Sequence, residues 1–195
     1  MVRSANAYRK TGETEVKVRI NIDGEGQNSI QTPAFFFNHM LTLFSRHGLL
    51  DLDIEANGDI EVDFHHLVED VGIVLGEAFL KALGNKQGIR RYGSFYVPMD
   101  EALAFCSVDV SGRPFIFFKA EFNRDKVGEF DVELIEEFFI AFASTARITL
   151  HLEIIRGQNT HHMIEALFKA FGRALKEAVD FDPREKGVPS TKGVL

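Results

Sequence analysis

The chain carries seven histidines, and four of them fall in two copies of one pattern: His65-His66-x-x-Glu69 and, 96 positions later, His161-His162-x-x-Glu165. On a helix, positions three and four apart share a face, so each glutamate can stand beside either histidine of its pair. Adjacent histidines diverge by about 100° around the axis and cannot easily serve one ion together. Each pair therefore suits two ions, or one ion and one substrate. Imidazole and carboxylate without thiolate suit Mn, Fe, Co, Ni or Zn better than Mg or Ca. The positive end of the helix dipole disfavours imidazolium, which leaves the rings neutral for ligation. One such pattern alone reads equally as a solvated helix start; two copies at matching places favour a metal site.

The elements that carry the two copies repeat as well. In the first half, Val16, Val18, Ile20 and Ile22 alternate at period two over residues 14–24, a strand ending in an Asp-Gly turn. Residues 35–48 read as a helix stopping at Gly48, and "DLDIEA" and "GDIEVD" as two strands joined by an Asn-Gly hairpin. Residues 65–84 place Leu67, Val71, Val74, Leu75, Ala78, Phe79 and Ala82 on one helical stripe closed by Gly84. The second half follows in the same order, with two strands around a Ser-Gly turn in 104–122, a helix over 131–146, a strand over 148–155 and a long helix over 161–179. The spacing thus predicts an α+β fold made by internal duplication, two sheet-plus-two-helix modules with the helices on one face of each sheet. The join falls in the short polar stretch 84–94, giving modules over 1–92 and 93–195 that pack as one unit.

The alignment of the halves adds further candidates. His39 lies 14 residues before Asp53, and the same step back from His151 reaches Glu137, so His39 and Glu137 are equivalent and both fit as ligands. His47, before a helix-ending glycine, and His151, in an amphipathic strand, read as structural. Arg90 and Arg91 at the join, Arg113 in a turn, and Ser190, Thr191 and Lys192 in the tail could bind a phosphate, although each alone reads as a solvated surface group.

Composition excludes several classes. A hydrophobic share of 45% and a charged share of 26% over 195 residues are those of a globular chain with a good core, here rich in phenylalanine at 19 residues. A net charge of −7, without a basic-aromatic stripe, argues against a nucleic-acid or anionic-membrane partner. Cys106 is the single cysteine, so disulfides and thiolate zinc sites are out. The first residues hold no apolar signal core and no run approaches membrane-spanning length, which predicts a soluble cytoplasmic protein.

Nearly end to end, the chain resembles imidazoleglycerol-phosphate dehydratase, a manganese-dependent lyase family of histidine biosynthesis. The likeness is carried by "KTGETEVKVRINIDG", "NHMLTLFSRHGLLDLDIEANGDI", "HHLVEDVGIVLGEAF", "ALGNKQGIRRYGS", "VPMDEAL", "DVSGRP", "ITLHLE", "NTHHMIEALFKAFGRAL" and "PSTKGVL". It implies a ribosomal protein S5 domain 2-like fold and loss of water from D-erythro-imidazole-glycerol phosphate to give imidazole-acetol phosphate. It also implies two Mn2+ per active site and a homo-oligomer of 24 chains with sites where subunits meet. Matched motif by motif, the metal ligands would be His39, His65, His66, Glu69, Glu137, His161, His162 and Glu165. Glu13 matches a mobile acid/base glutamate, with Glu165 a metal-site carboxylate in the same chemistry, and Lys169 matches a substrate-contacting lysine. His47, Arg91, Arg113, Ser190 and Lys192 match the phosphate pocket. The resemblance further implies that metal bound to the substrate's imidazole eases removal of a carbon-bound proton that is otherwise not acidic.

This sequence departs from the family pattern at four places. Asn38 and Phe64 stand where many members have Asp before a ligand histidine, the familiar proline has moved to Pro33, and Glu137 stands where many have His. The rival reading is a non-catalytic metal-binding or assembly protein on the same scaffold. That protein would need the histidines but not Glu13, Arg113 and the Ser190/Lys192 tail together.

Overall fold

Residues 3–195 are described by a computed structural model. The first half runs β1 (Ser4–Lys10), β2 (Thr14–Asn21), β3 (Asn28–Gln31), α1 (Phe35–Gly48), β4 (Asp51–Gly58) and α2 (His65–Leu83). The second runs β5 (Tyr92–Met99), β6 (Ala102–Asp109), β7 (Phe115–Lys119), a short ribbon of β8 (Lys126–Val127) and β9 (Phe130–Asp131), then α3 (Leu134–Ala146), β10 (Thr149–Arg156) and α4 (Thr160–Val179). The sheets have one topology: β1-β2-β4-β3 and β5-β6-β10-β7, antiparallel except for the last pair in each. Alternation decides their faces. In β2, Val16, Val18 and Ile20 are buried under the helices while Lys17 and Arg19 face outward.

The expected hairpin after β4 does not form. Residues 60–62 make a turn, with Asp59 N–H bonded to Glu13 O and Val62 N–H to Asp59 O, and Ile60 and Val62 are exposed. The reason is occupancy: β4 already has β2 on one edge and β3 on the other, so a returning strand would have no free edge to pair with. Likewise β6 and β7 flank the turn at Gly112, yet β10 lies between them and they do not pair. The strands β1, β3 and β5 were not predicted. Gly48 is still helical, and the left-handed residue closing α1 is Leu49 (φ 51°), matched by Arg147 (φ 56°) closing α3.

The two halves interlock through their helices. The short helix α1 packs on the long helix α4 of the other half, and α3 packs on α2. Both crossings turn on a glycine. A Cβ at Gly76 would lie 2.7 Å from Phe142 O and 2.9 Å from Ala146 N; one at Gly172 would lie 2.7 Å from Phe44 O and 2.9 Å from Gly48 N. Those neighbours are repeat-equivalent, so one contact is used twice. Around it nine phenylalanines are fully buried, eight on the helices. Phe44 of α1 stacks on Phe171 of α4 at 4.9 Å, and Phe138 of α3 on Phe168 of α4 at 5.5 Å, so a single core is shared by both halves.

Gly→Ala inside a helix normally gains about 1 kcal/mol from propensity. Here the close backbone approach reverses the sign. Gly76→Ala and Gly172→Ala should each destabilise the chain by about 1–3 kcal/mol in urea denaturation. A stability gain in either variant would mean that the crossing has slack.

Candidate metal centre and phosphate pocket

The α1–α4 crossing brings three of the proposed ligands together. Asn159 caps α4, its side chain accepting from His161 N–H at 3.0 Å, which sets His161 and Glu165 one turn apart on the same face. His39 arrives from α1. Glu165 Oε1 lies 3.0 Å from His39 Nε2 and 3.0 Å from His161 Nε2, and Lys169 Nζ donates to Oε2 at 2.5 Å. Glu165 is only 8% exposed. Burial opposes its ionisation, but Lys169 and the two imidazoles outweigh burial and hold the carboxyl at about 2. Two imidazole nitrogens and one buried carboxylate oxygen converging on one point is a donor set that fits a divalent transition metal.

The equivalent crossing of α2 and α3 carries His65, Glu69 and Glu137. All three are half-buried, and they make no hydrogen bond with one another. Among the described residues, the second close cluster is instead Glu13, Asp59 and His66. There His66 Nδ1 meets Asp59 Oδ2 at 3.0 Å and Glu13 Oε2 at 3.8 Å. In the second half, His162 Nδ1 meets Glu101 Oε2 at 2.9 Å and Asp100 Oδ2 at 3.8 Å. These carboxylates face Nδ1, the nitrogen opposite the one that His39 and His161 turn to Glu165. At these two rings they act against the helix dipole, which disfavours imidazolium. The hydrogen bonds to Asp59 and Glu101 raise His66 and His162 above the usual histidine range. Glu101, bonded to His162 and to two backbone N–H groups, is held at about 2.

Asp59 and Glu101 had no assigned role in the sequence reading. Glu13 and Glu101 lie in the β1–β2 and β5–β6 turns, and because β1 and β5 are absent from the sequence expectation, this correspondence emerges only in the structure. The departures Asn38 and Phe64 also become clear. Asn38 clamps the start of α1, accepting from Thr32 Oγ1 at 2.7 Å and donating to Thr32 O at 2.8 Å, and Phe64 stacks on Phe130 at 6.3 Å.

The phosphate candidates divide between two places. Arg91, at φ 73°, grips Asp109 with two bonds of 2.7 and 3.2 Å and donates to Pro189 O at 2.9 Å. Arg113 reaches the same Asp109 at 4.0 Å with its head exposed, and Ser190 Oγ accepts from Lys192 N–H at 3.2 Å. An open cleft of about 620 Å³ is lined by Arg91, Tyr92, Pro189 and Ser190. His47 lies elsewhere, in the last turn of α1, where burial and the charges of Lys169 and Arg173 push it below the usual range. A cleft of about 630 Å³ on the open face of the first sheet, lined by Tyr8, Lys17, Arg19 and Glu55, contains none of the candidate residues.

Comparison with known proteins bears on all of this. A family model for imidazoleglycerol-phosphate dehydratase matches residues 32–175. An imidazoleglycerol-phosphate dehydratase of Clostridium botulinum (strain Langeland) is 62% identical over 191 residues, covering 98% of this chain and 97% of that protein. One of Clostridium kluyveri is 54% identical with both chains covered in full. The crystal structure of the Staphylococcus aureus dehydratase superposes with a TM-score of 0.84 at 46% identity, over 92% of this chain and 99% of that one. That of Pyrococcus furiosus, in complex with (S)-C348, gives 0.82 at 37% identity, over 96% and 99%.

The geometry at Glu165 generates one expectation directly. Glu165→Gln removes the carboxylate that both imidazoles share, and Mn2+ affinity of the chelator-stripped chain should fall by at least ~100-fold, beyond what loss of an outer-shell partner costs. Titration of Mn2+ into the metal-free chain reads it. Undiminished affinity would remove Glu165 from the ligand set.

Proposed function

The chain belongs to the imidazoleglycerol-phosphate dehydratase family, and from that premise we propose that the two histidine clusters and the Arg91/Ser190 cleft, with Arg113 beside it, together form its active site. It removes water from D-erythro-imidazole-glycerol phosphate to give imidazole-acetol phosphate in histidine biosynthesis, as a metal-dependent lyase. The non-catalytic alternative is set aside by full-length relatives at 54–62% identity that are named as the enzyme.

The observation that carries the site assignment is the convergence of His39, His161 and Glu165 beside Lys169. We assign the metal ligands as His39, His65, His66, Glu69, Glu137, His161, His162 and Glu165, with two Mn2+ per site. Bound there, the metal would act as a Lewis acid toward the substrate's imidazole. The protein's own groups do the rest. Arg91, Arg113, Ser190 and Lys192, helped by His47, hold the phosphate and so set the register of the side chain. Glu13, exposed in the β1–β2 turn beside His66, exchanges the proton at the reacting carbon, and Lys169 contacts the substrate while holding Glu165 ionised.

His66 and His162 stand apart from the Glu165 cluster with Nε2 uncommitted among the described contacts, which suits ligands completed by another copy of the chain. We therefore assign a homo-oligomer with sites where subunits meet; the count of 24 subunits is what the family resemblance implies. The two modules are taken as 1–92 and 93–195. No described helix is long and apolar enough to cross a membrane, and the assigned compartment is the cytoplasm.

Chelator-stripped chain should be inactive toward imidazole-glycerol phosphate and regain turnover with Mn2+. Glu13→Gln should lower kcat by about 10²–10⁴-fold with metal content unchanged. Full activity of that variant would sink the acid/base role of Glu13.

A further inference from the structure

We infer that Glu101 is a positioning residue for His162, selecting the ring tautomer that leaves Nε2 free to bind metal, and that Asp59 does the same for His66. The inference rests on the reading of both histidines as ligands and goes beyond it, because neither carboxylate is itself a ligand in that reading.

The geometry at Glu101 permits one arrangement. Its Oε1 accepts the backbone N–H of Gln158 at 3.2 Å and of Asn159 at 2.7 Å; its Oε2 meets His162 Nδ1 at 2.9 Å. A carboxylate can only accept, so the Nδ1 nitrogen must carry the hydrogen, and in the neutral ring, the form that ligates, Nε2 keeps its lone pair. The two backbone bonds tie the carboxylate to the loop that starts α4, where Asn159 also caps the helix. The ring is thereby oriented relative to the same helix start that presents His161 and Glu165. A ligand histidine whose other nitrogen is held in this way is fixed in tautomer and direction before metal arrives.

Asp59 differs in one respect that makes a test possible. Its Oδ2 and Oδ1 lie 3.0 and 3.3 Å from His66 Nδ1, and no backbone N–H among the described residues bonds to either oxygen. An amide replacing Glu101 would be locked: its carbonyl must face Gln158 and Asn159, which turns its NH2 toward Nδ1. That drives the imidazole hydrogen onto Nε2 and blocks the ligand atom. An amide replacing Asp59 has no such lock and can turn its carbonyl to the ring.

The experiment uses the full chain, stripped of metal, in four forms: parent, Glu101→Gln, Asp59→Asn and His162→Ala. Mn2+ alone is titrated against a competing chelator, and nitrogen NMR of the histidine rings reports the tautomer in the metal-free state. Glu101→Gln should lose roughly 10–100-fold in Mn2+ affinity and show His162 protonated on Nε2. Asp59→Asn should stay close to the parent in both. A purely structural role for Glu101 predicts the opposite for Glu101→Gln, since the amide oxygen keeps both backbone bonds and thermal unfolding should be unchanged. Parent-like affinity and an Nδ1-protonated His162 in Glu101→Gln would overturn the inference. If His162→Ala also binds Mn2+ as tightly as the parent, the failure lies in the ligand assignment instead.

Discussion

Two helices can approach to backbone contact only where no side chain stands between them, and in this chain Gly76 and Gly172 are the repeat-equivalent pair of such places, with Gly72 a further one on α2. Everything at the candidate centre is measured from them. Glu69 and Glu165 each lie seven residues, about two turns, before their glycine, and so on the same face of the helix. His39 and Glu137 lie on the partner helices, each nine residues before the residue that the glycine meets. The helix crossing, set by the absence of one methyl group, therefore sets how closely α1 can deliver His39 to the α4 carboxylate. The surrounding phenylalanine core holds that crossing rigid, because rings from both halves interlock across it.

The two crossings match in backbone but not in charge. At the α1–α4 crossing, the nearly buried Glu165 is compensated by Lys169 and two imidazoles, as a charge taken out of water requires. At the α2–α3 crossing, Ile73 stands in the place of Lys169 and Glu137 in the place of His39. That half-site holds two carboxylates and no ammonium. Its residues remain half-buried and unbonded to one another, the state expected of acidic groups whose countercharge comes from a divalent cation. The repeat thus supplies one backbone geometry twice, with Lys169 beside the carboxylate in one copy and Ile73 at the equivalent place in the other.

Around these candidate ligands stands a second tier that the pattern of histidines does not announce. Asp59 and Glu101 face Nδ1 of His66 and His162, and each comes from a different kind of place: a turn after β4 in one half, the β5–β6 turn in the other. Asn38 and Phe64, which replace carboxylates common in the family, serve instead as a clamp on α1 and as part of the aromatic core. Asp59 and Glu101, each inside one of the quoted motifs, are the carboxylates that face the Nδ1 nitrogens.

What the sequence determined by itself is whatever repeats at short range. Helical stripes, the alternation in β2, the paired His-His-x-x-Glu and the equivalence of His39 with Glu137 are all periodicities of 2, 3.6 or 96–98, and each survives in the structure. Family and reaction were legible for the same reason, since the diagnostic motifs are contiguous. What only the tertiary structure decided is whatever depends on occupied edges and facing surfaces. "GDIEVD" has the look of a strand, but both edges of β4 are taken. The polar strand β1 and the short strand β3 exist because a neighbour offers hydrogen bonds, not because their side chains demand it. Glu101 reaches His162 from 61 positions away, and the exchange of helices between the halves, α1 with α4 and α2 with α3, is written in no local pattern. Hydrogen-bond edges and helix crossings are properties of pairs of segments, so a single segment cannot specify them.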